Sequence, residues 1–181
     1  AISGIFLTPP LMGPYQGRTG TLCFVTVNHD ISANGRAVLT ERQDIVYRNV
    51  DAPDGAARKT PEPAAHGQHR EVIDPSAALL FRYSALTFNT HRIHYDAPYA
   101  RNIERYRGLV VHGPLTASML LQMAAARFGE NRLASFSFRG VSPAIAGEPL
   151  HLVMRGGSEG IELGAFAYDG RQVTKASATL A

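Results

Sequence analysis

The segment from Gly113 to Phe128 (GPLTASMLLQMAAARF) limits the possible folds more than any other part of the chain. Apolar residues at Leu115, Met119, Leu120, Met123 and Ala124 recur at helical spacing. Pro114 sits just inside the start, where a missing N–H is harmless, and Gly129 supplies the stop. A helix apolar around most of its circumference must be wrapped by something else. Four strand-like segments follow it, Leu133 to Arg139, Pro149 to Arg155, Ile161 to Tyr168 and Arg171 to Leu180, punctuated by Ala146-Gly147, Gly156-Gly157 and Asp169-Gly170. An antiparallel sheet needs one face covered, so the economical arrangement is an α+β fold in which a curved sheet wraps that helix.

Ahead of this unit, Leu22 to His29 alternates as a strand, and Ala33-Asn34-Gly35 turns the chain into a second strand from Arg36 to about Arg48. From Asp51 to about Pro75 the chain becomes polar and rich in Pro and Gly, which reads as a connection. The expected organisation is therefore strands of a first unit in residues 1–50, a linker in 51–73 and a complete unit in 74–181. Asn34-Gly35-Arg36-Ala37-Val38 and Asp169-Gly170-Arg171-Gln172-Val173 echo each other between strands. The echo fits either an internal repeat or the common use of such turns in hairpins. Under the repeat reading, the first unit has a helix that is absent from the chain, with residues omitted near Gln16 and Gly17.

A composition of 45% hydrophobic and 18% charged residues is that of a globular domain. The longest apolar stretch, Leu109 to Met123, is broken by His112, Thr116, Ser118 and Gln122, so no membrane span and no membrane partner are expected. Ala1 to Tyr15 has no basic start and contains three prolines, unlike a signal peptide. One cysteine, Cys23, excludes an intramolecular disulfide framework and suits a reducing, cytoplasmic setting. Sixteen of the eighteen basic residues are Arg, dispersed without a run, so nucleic acid is not the expected partner. Dispersed Arg suits anionic small molecules, because the guanidinium fork holds phosphate or carboxylate in two places.

Tyr83 to Tyr99 (YSALTFNTHRIHYDAPY) concentrates two His, one Asn, one Arg, one Asp and three Tyr. Such groups would be costly to bury unpaired, and they are the kind that general acid–base chemistry needs. Asp96 before Ala97-Pro98 is a helix N-cap candidate. His91 and His94 lie three apart with no third ligand at suitable spacing, and His66 and His69 fall in the linker, so no metal site is expected. Gly108 to Leu115 (GLVVHGPL) runs into the long helix and leaves free backbone N–H groups at its positive end.

FNTHRIHYD followed by GLVVHGPLTASMLL resembles the acyl-dehydratase branch of the MaoC-like hydratases. These hot-dog proteins add water to, or remove it from, enoyl thioesters of coenzyme A or acyl carrier protein. The similarity covers residues 17–49 and 74–181 and points to the subgroup of itaconyl-CoA and mesaconyl-CoA hydratases and type 2 hydroxyacyl-thioester dehydratases. It implies a double hot dog with an incomplete first half, working as a homodimer or pseudo-dimer. It also implies an acyl-CoA substrate and no cofactor beyond the coenzyme A that the substrate carries.

The family pattern Asp-x-Asn-Pro-x-His is matched by Asn89-Thr90-His91-Arg92-Ile93-His94, in which His94 keeps the His but Asn89 stands where the family has Asp. The resemblance implies that His94 takes a proton from a water oriented by Asn89. The Gly113 N–H would then receive the thioester oxygen, with His91, Tyr95 and His112 contacting substrate. Arg92 is the candidate for a carboxylate on a dicarboxylic acyl group, although it could equally hold a phosphate or a structural Asp. The rival expectations are a dehydratase of straight-chain 3-hydroxyacyl thioesters and a non-catalytic acyl-thioester binder.

Overall fold

The computed structural model describes residues 5–8, 15–17, 20–48, 69–157 and 160–181, and the chain divides into two compact units at Pro53 and Asp54. The first is built on a long hairpin of β3 (Gly20–Ala33) and β4 (Arg36–Arg48). The strands β1 (Ile5–Thr8) and β2 (Tyr15–Gly17) both pair antiparallel with β3. Asn34 and Gly35 both take positive φ, 51° and 76°, as the tightest hairpin turn requires. At the corresponding turn of the echo only Gly170 does so (φ 75°), so the two share a glycine but not a backbone. Gln16 and Gly17, near which the break in the chain is expected, are strand residues paired with Thr21 and Gly20 of β3, and Arg18 and Thr19 between the two strands lie outside the described residues.

The second unit contains β5 (His69–Ile73), α1 (Ala77–Thr87), a single 3-10 turn (Arg92–His94), α2 (Ala97–Asn102) and α3 (Gly113–Phe128). Four strands follow: β6 (Leu133–Gly140), β7 (Leu150–Gly157), β8 (Gly160–Ala167) and β9 (Gln172–Leu180). Together with β5 they form an antiparallel sheet in the order β5-β7-β8-β9-β6. The α3 helix packs against β6, β7, β8 and β9. Leu115, Leu120, Met123 and Ala124 of α3 meet alternate residues of the strands, among them Leu150, Leu152, Ile161, Leu163, Ala165, Ala176 and Ala178. Leu120 has no exposed surface, and its burial alone contributes roughly 1.5–3 kcal/mol. This is the hot-dog arrangement, a sheet wrapped on a central helix.

Two differences from the sequence reading bear on the site. His69–Ile73, placed in the linker, is an edge strand paired to β7 from His69↔Met154 to Ile73↔Leu150. Ala77–Thr87, for which no element was anticipated, is a helix capped by Ser76, whose hydroxyl accepts from Leu79 N at 3.2 Å. Both are locally weak signals: β5 is mostly exposed and polar, and α1 spreads apolar residues around its circumference, leaving Phe81 and Leu86 in solvent.

Candidate active site

The α1 helix ends at Phe88, which takes the left-handed conformation (φ 54°) and throws the chain into the polar segment. Asn89 then fixes the local turn, its Oδ1 accepting from His91 N at 3.0 Å. The Tyr95 hydroxyl donates to the Thr90 carbonyl at 2.7 Å and closes the same loop. Asp96 caps α2: Oδ1 accepts from Tyr99 N at 3.0 Å, while Oδ2 accepts from Nε and Nη2 of Arg92 at 3.1 and 2.7 Å. These bonds, the Tyr99 N–H first and Arg92 second, hold the Asp96 carboxyl below the usual carboxylate range. The Arg92 guanidinium also lies 4.1 Å from the Tyr99 ring centroid. Beneath the loop Ile93, Ala100, Val110 and Ile145 form a small separate core, which ties the polar segment to the approach to α3.

That tie places His94. The Val110 N–H donates to the Ile93 carbonyl at 2.9 Å, and the His94 Nδ1–H donates to the Val110 carbonyl at 2.7 Å. A carbonyl only accepts, so Nδ1 carries the proton and Nε2 the lone pair. Burial lowers the pKa of His94, partly opposed by the Val110 bond, and nearby His91 lowers it further. His94 is therefore neutral at physiological pH.

His112, the residue before α3, stacks on His94 with ring centroids 3.7 Å apart and planes 17° from parallel. Its Nε2 is hydrogen-bonded to the Ser84 hydroxyl of α1 at 2.9 Å, and the Tyr83 ring meets it edge-on at 4.8 Å. Burial, and secondly the His94 ring, push its pKa down to about 4. Among the described residues its Nδ1 is buried without a hydrogen-bond partner. Gly113 follows as the first residue of α3, where backbone N–H groups have no intrahelical acceptor and the helix dipole favours negative charge. A side chain at Gly113 would meet nothing within 4 Å, so the space beside this N–H is open.

His91, His94, His112 and Gly113 are thus brought into one constellation. His91 is half-exposed, with its ring centroid 5.6 Å from that of His94 and its Nε2 3.8 Å from Glu104 Oε1. The Tyr99 hydroxyl donates to the same Glu104 oxygen at 3.1 Å. Asn89, Tyr95 and Arg92 flank the constellation with polar atoms engaged inside the loop. Of the alternatives open for Arg92, the bond it makes here is to a structural Asp. Ser84 and Glu104 were not anticipated. Ser84 shares a buried face with Leu80, four residues earlier on α1, which is the only signal the sequence carries for it.

Residues 15–146 match the family described as hydroxyacyl-thioester dehydratase type 2. The mesaconyl-C(4)-CoA hydratase of Chloroflexus aurantiacus is 43% identical over 166 residues, covering 91% of this chain and 59% of that protein. The mitochondrial hydroxyacyl-thioester dehydratase type 2 of Schizosaccharomyces pombe is 37% identical over 116 residues, 63% of this chain and 38% of that one. The chain therefore spans less than two thirds of the length of these relatives. A MaoC-like dehydratase from Phytophthora capsici superposes with a TM-score of 0.69 at 18% identity, over 93% of this chain and 59% of the other, a likeness of fold. With 132 of its residues inside the family match and a sheet-wrapped helix to carry them, the chain belongs to the hydroxyacyl-thioester dehydratase type 2 family.

Proposed function

We propose that this chain hydrates, and in reverse dehydrates, an enoyl thioester of coenzyme A, with a short branched dicarboxylic acyl group such as mesaconyl as the preferred substrate. One observation carries the reading: a neutral imidazole with an available Nε2 lone pair, His94, is stacked on His112, the residue immediately before Gly113, the first residue of α3. Base and oxyanion donor are thereby held side by side. In the hydration direction, His94 Nε2 takes a proton from water as the oxygen bonds to the β-carbon of the enoyl group. Charge moves to the thioester oxygen, where the Gly113 N–H and the α3 dipole stabilise it. Protonation of the α-carbon completes the addition. The addition of water is a C–O bond formation with proton transfers and no net redox change, so the chemistry needs no cofactor beyond the coenzyme A of the substrate.

Arg92 is proposed to receive the distal carboxylate. Asp96 takes its Nε and Nη2 and the Tyr99 ring supports its plane, which leaves the Nη1 edge to face a second carboxylate. The identity to a mesaconyl-C(4)-CoA hydratase supports this substrate class. The match to a hydroxyacyl-thioester dehydratase supports a second reading, the same chemistry run as dehydration of a straight-chain acyl group. A reducing, cytoplasmic compartment suits the unpaired, exposed thiol of Cys23.

The test is the loss of enoyl absorbance with purified protein and mesaconyl, itaconyl and crotonyl thioesters side by side. Turnover that favours the dicarboxylic substrates supports the proposal, and a preference for crotonyl thioester selects the second reading. Binding of all three without turnover by the protein, under conditions where it is folded, leaves only a thioester-binding hot dog.

A further inference from the structure

The family pattern sets a carboxylate where this chain has Asn89, which leaves the reaction short of a second acid–base group. The obvious substitutes are already engaged. Asn89 cannot exchange protons at neutral pH, and its oxygen is occupied by His91 N at 3.0 Å. Asp96 accepts three hydrogen bonds, one from Tyr99 N and two from Arg92. His112 is buried at 1% exposure beneath His94 and tied to Ser84. His91 differs from all of these. Its ring is half-exposed, at a centroid distance of 5.6 Å from that of His94 and nearly perpendicular to it, and its Nε2 lies 3.8 Å from the Glu104 carboxylate.

We propose that His91, backed by Glu104, is the acid that delivers the proton to the α-carbon while His94 acts as the base on water. The inference rests on the hydratase reading above and adds to it the residue that replaces the missing carboxylate. The C–O bond forms as His94 Nε2 takes one proton of the water, and the π electrons of the C=C bond move to the thioester oxygen as an enolate. The enolate pair then returns to the α-carbon and takes a proton from the imidazolium of His91, whose Nε2 side faces Glu104. His94 sheds its proton to water and His91 regains one, so the net change is one water added.

The charged and titratable groups around His91 come from three elements. His94 and Arg92 lie on the 3-10 turn, Tyr99 and Asp96 on α2 with Glu104 just beyond it, and His112 at the start of α3 behind His94. Asp96 neutralises Arg92, so Glu104 is the negative charge that His91 faces. Glu104 is itself steadied by the Tyr99 hydroxyl, which makes it a positioning residue.

Steady-state kinetics with the best thioester found for the wild type test the proposal on His91→Ala, His91→Gln and Glu104→Gln, with His94→Gln as control. His91→Ala should lose about a hundredfold in kcat, in line with general-acid contributions, with little change in KM. Added imidazole should restore at least about tenfold, because the site is half-exposed and a small acid can enter. Glu104→Gln should show a smaller loss confined to kcat. His91→Gln covers the case in which the Ala variant melts early. An inactive His94→Gln beside a His91→Gln that keeps kcat within about threefold of wild type overturns this proposal and leaves the hydratase reading intact. A loss confined to KM, or one that imidazole does not restore, also overturns it. A wild type that turns over no enoyl thioester overturns both.

Discussion

Lowering the pH should destabilise the protein through His112, by an amount the structure sets. The ring is 1% exposed, stacked on a second imidazole and held at a pKa of about 4, against an ordinary value of 6.5 in the unfolded chain. Between those values the unfolded state binds a proton that the folded state refuses, so stability rises with pH across this window and is lost as pH falls through it. The separation corresponds to roughly 3 kcal/mol when the pH has fallen to about 4, of which about 2 kcal/mol is gone by about pH 5. His94, whose pKa is also lowered by burial, adds to the loss in the same direction. His112→Phe keeps a ring under His94 but cannot titrate, so the variant should shed most of this dependence. Urea unfolding of both proteins at about pH 7.5 and pH 5 measures the difference: the wild type should lose about 2 kcal/mol more than the variant. Equal losses in the two proteins would mean that His112 is not the buried neutral group described here.

Gly113→Ala should leave the thermal melt near wild type, because the new methyl meets nothing within 4 Å, yet it should weaken thioester turnover by occupying the space beside the N–H. Melting and kinetics on one preparation check both halves. Asp96→Asn should keep most activity, since Asn caps a helix nearly as well as Asp, whereas Asp96→Ala should cost about 1 kcal/mol in a denaturation experiment. Arg92→Ala should raise KM for mesaconyl or itaconyl thioesters roughly ten- to a hundredfold more than for crotonyl thioester, the range expected for a charge-assisted hydrogen bond. Equal effects on all three substrates would assign Arg92 to the loop alone. His94→Gln should lower kcat by about a hundredfold or more with the fold intact, and wild-type activity should fall on acidification as the His94 lone pair is lost.

The parts of the fold legible in the sequence were those whose signal is local and repeated. The α3 boundaries follow from a 3.6-residue apolar period, Pro114 near the start and Gly129 at the end, and the structure keeps them at Gly113 and Phe128. The β6, β7, β8 and β9 strands shift by no more than two residues at either end, because Gly-containing turns mark them off. The β5 strand lacked any such signal. Its residues His69, Arg70, Glu71 and Val72 are all exposed, and it is a strand only because the edge of β7 offers a ladder of unpaired backbone groups. The α1 helix was hidden differently. With Phe81, Leu86 and Phe88 in solvent and only Leu80 and Ser84 buried, it shows no clean apolar face.

The same distinction separates the site residues. His94, His112 and Gly113 sit in two short motifs and could be named from them, whereas Ser84 and Glu104 act on those motifs through space. Ser84 reaches His112 across 28 residues, a contact that exists only because α1 is a helix packed beside the start of α3. Both nitrogens of a buried neutral imidazole want partners, and Nδ1 of His112 already has none among the described residues. Removing the Ser84 hydroxyl would leave the whole ring unsatisfied at the spot where His94 needs a fixed surface to stack on. The surface on which the proposed base, His94, stacks therefore depends on a serine that no motif contains. The local motif supplies the proposed reactive groups, and the tertiary packing of α1 holds the ring beneath one of them.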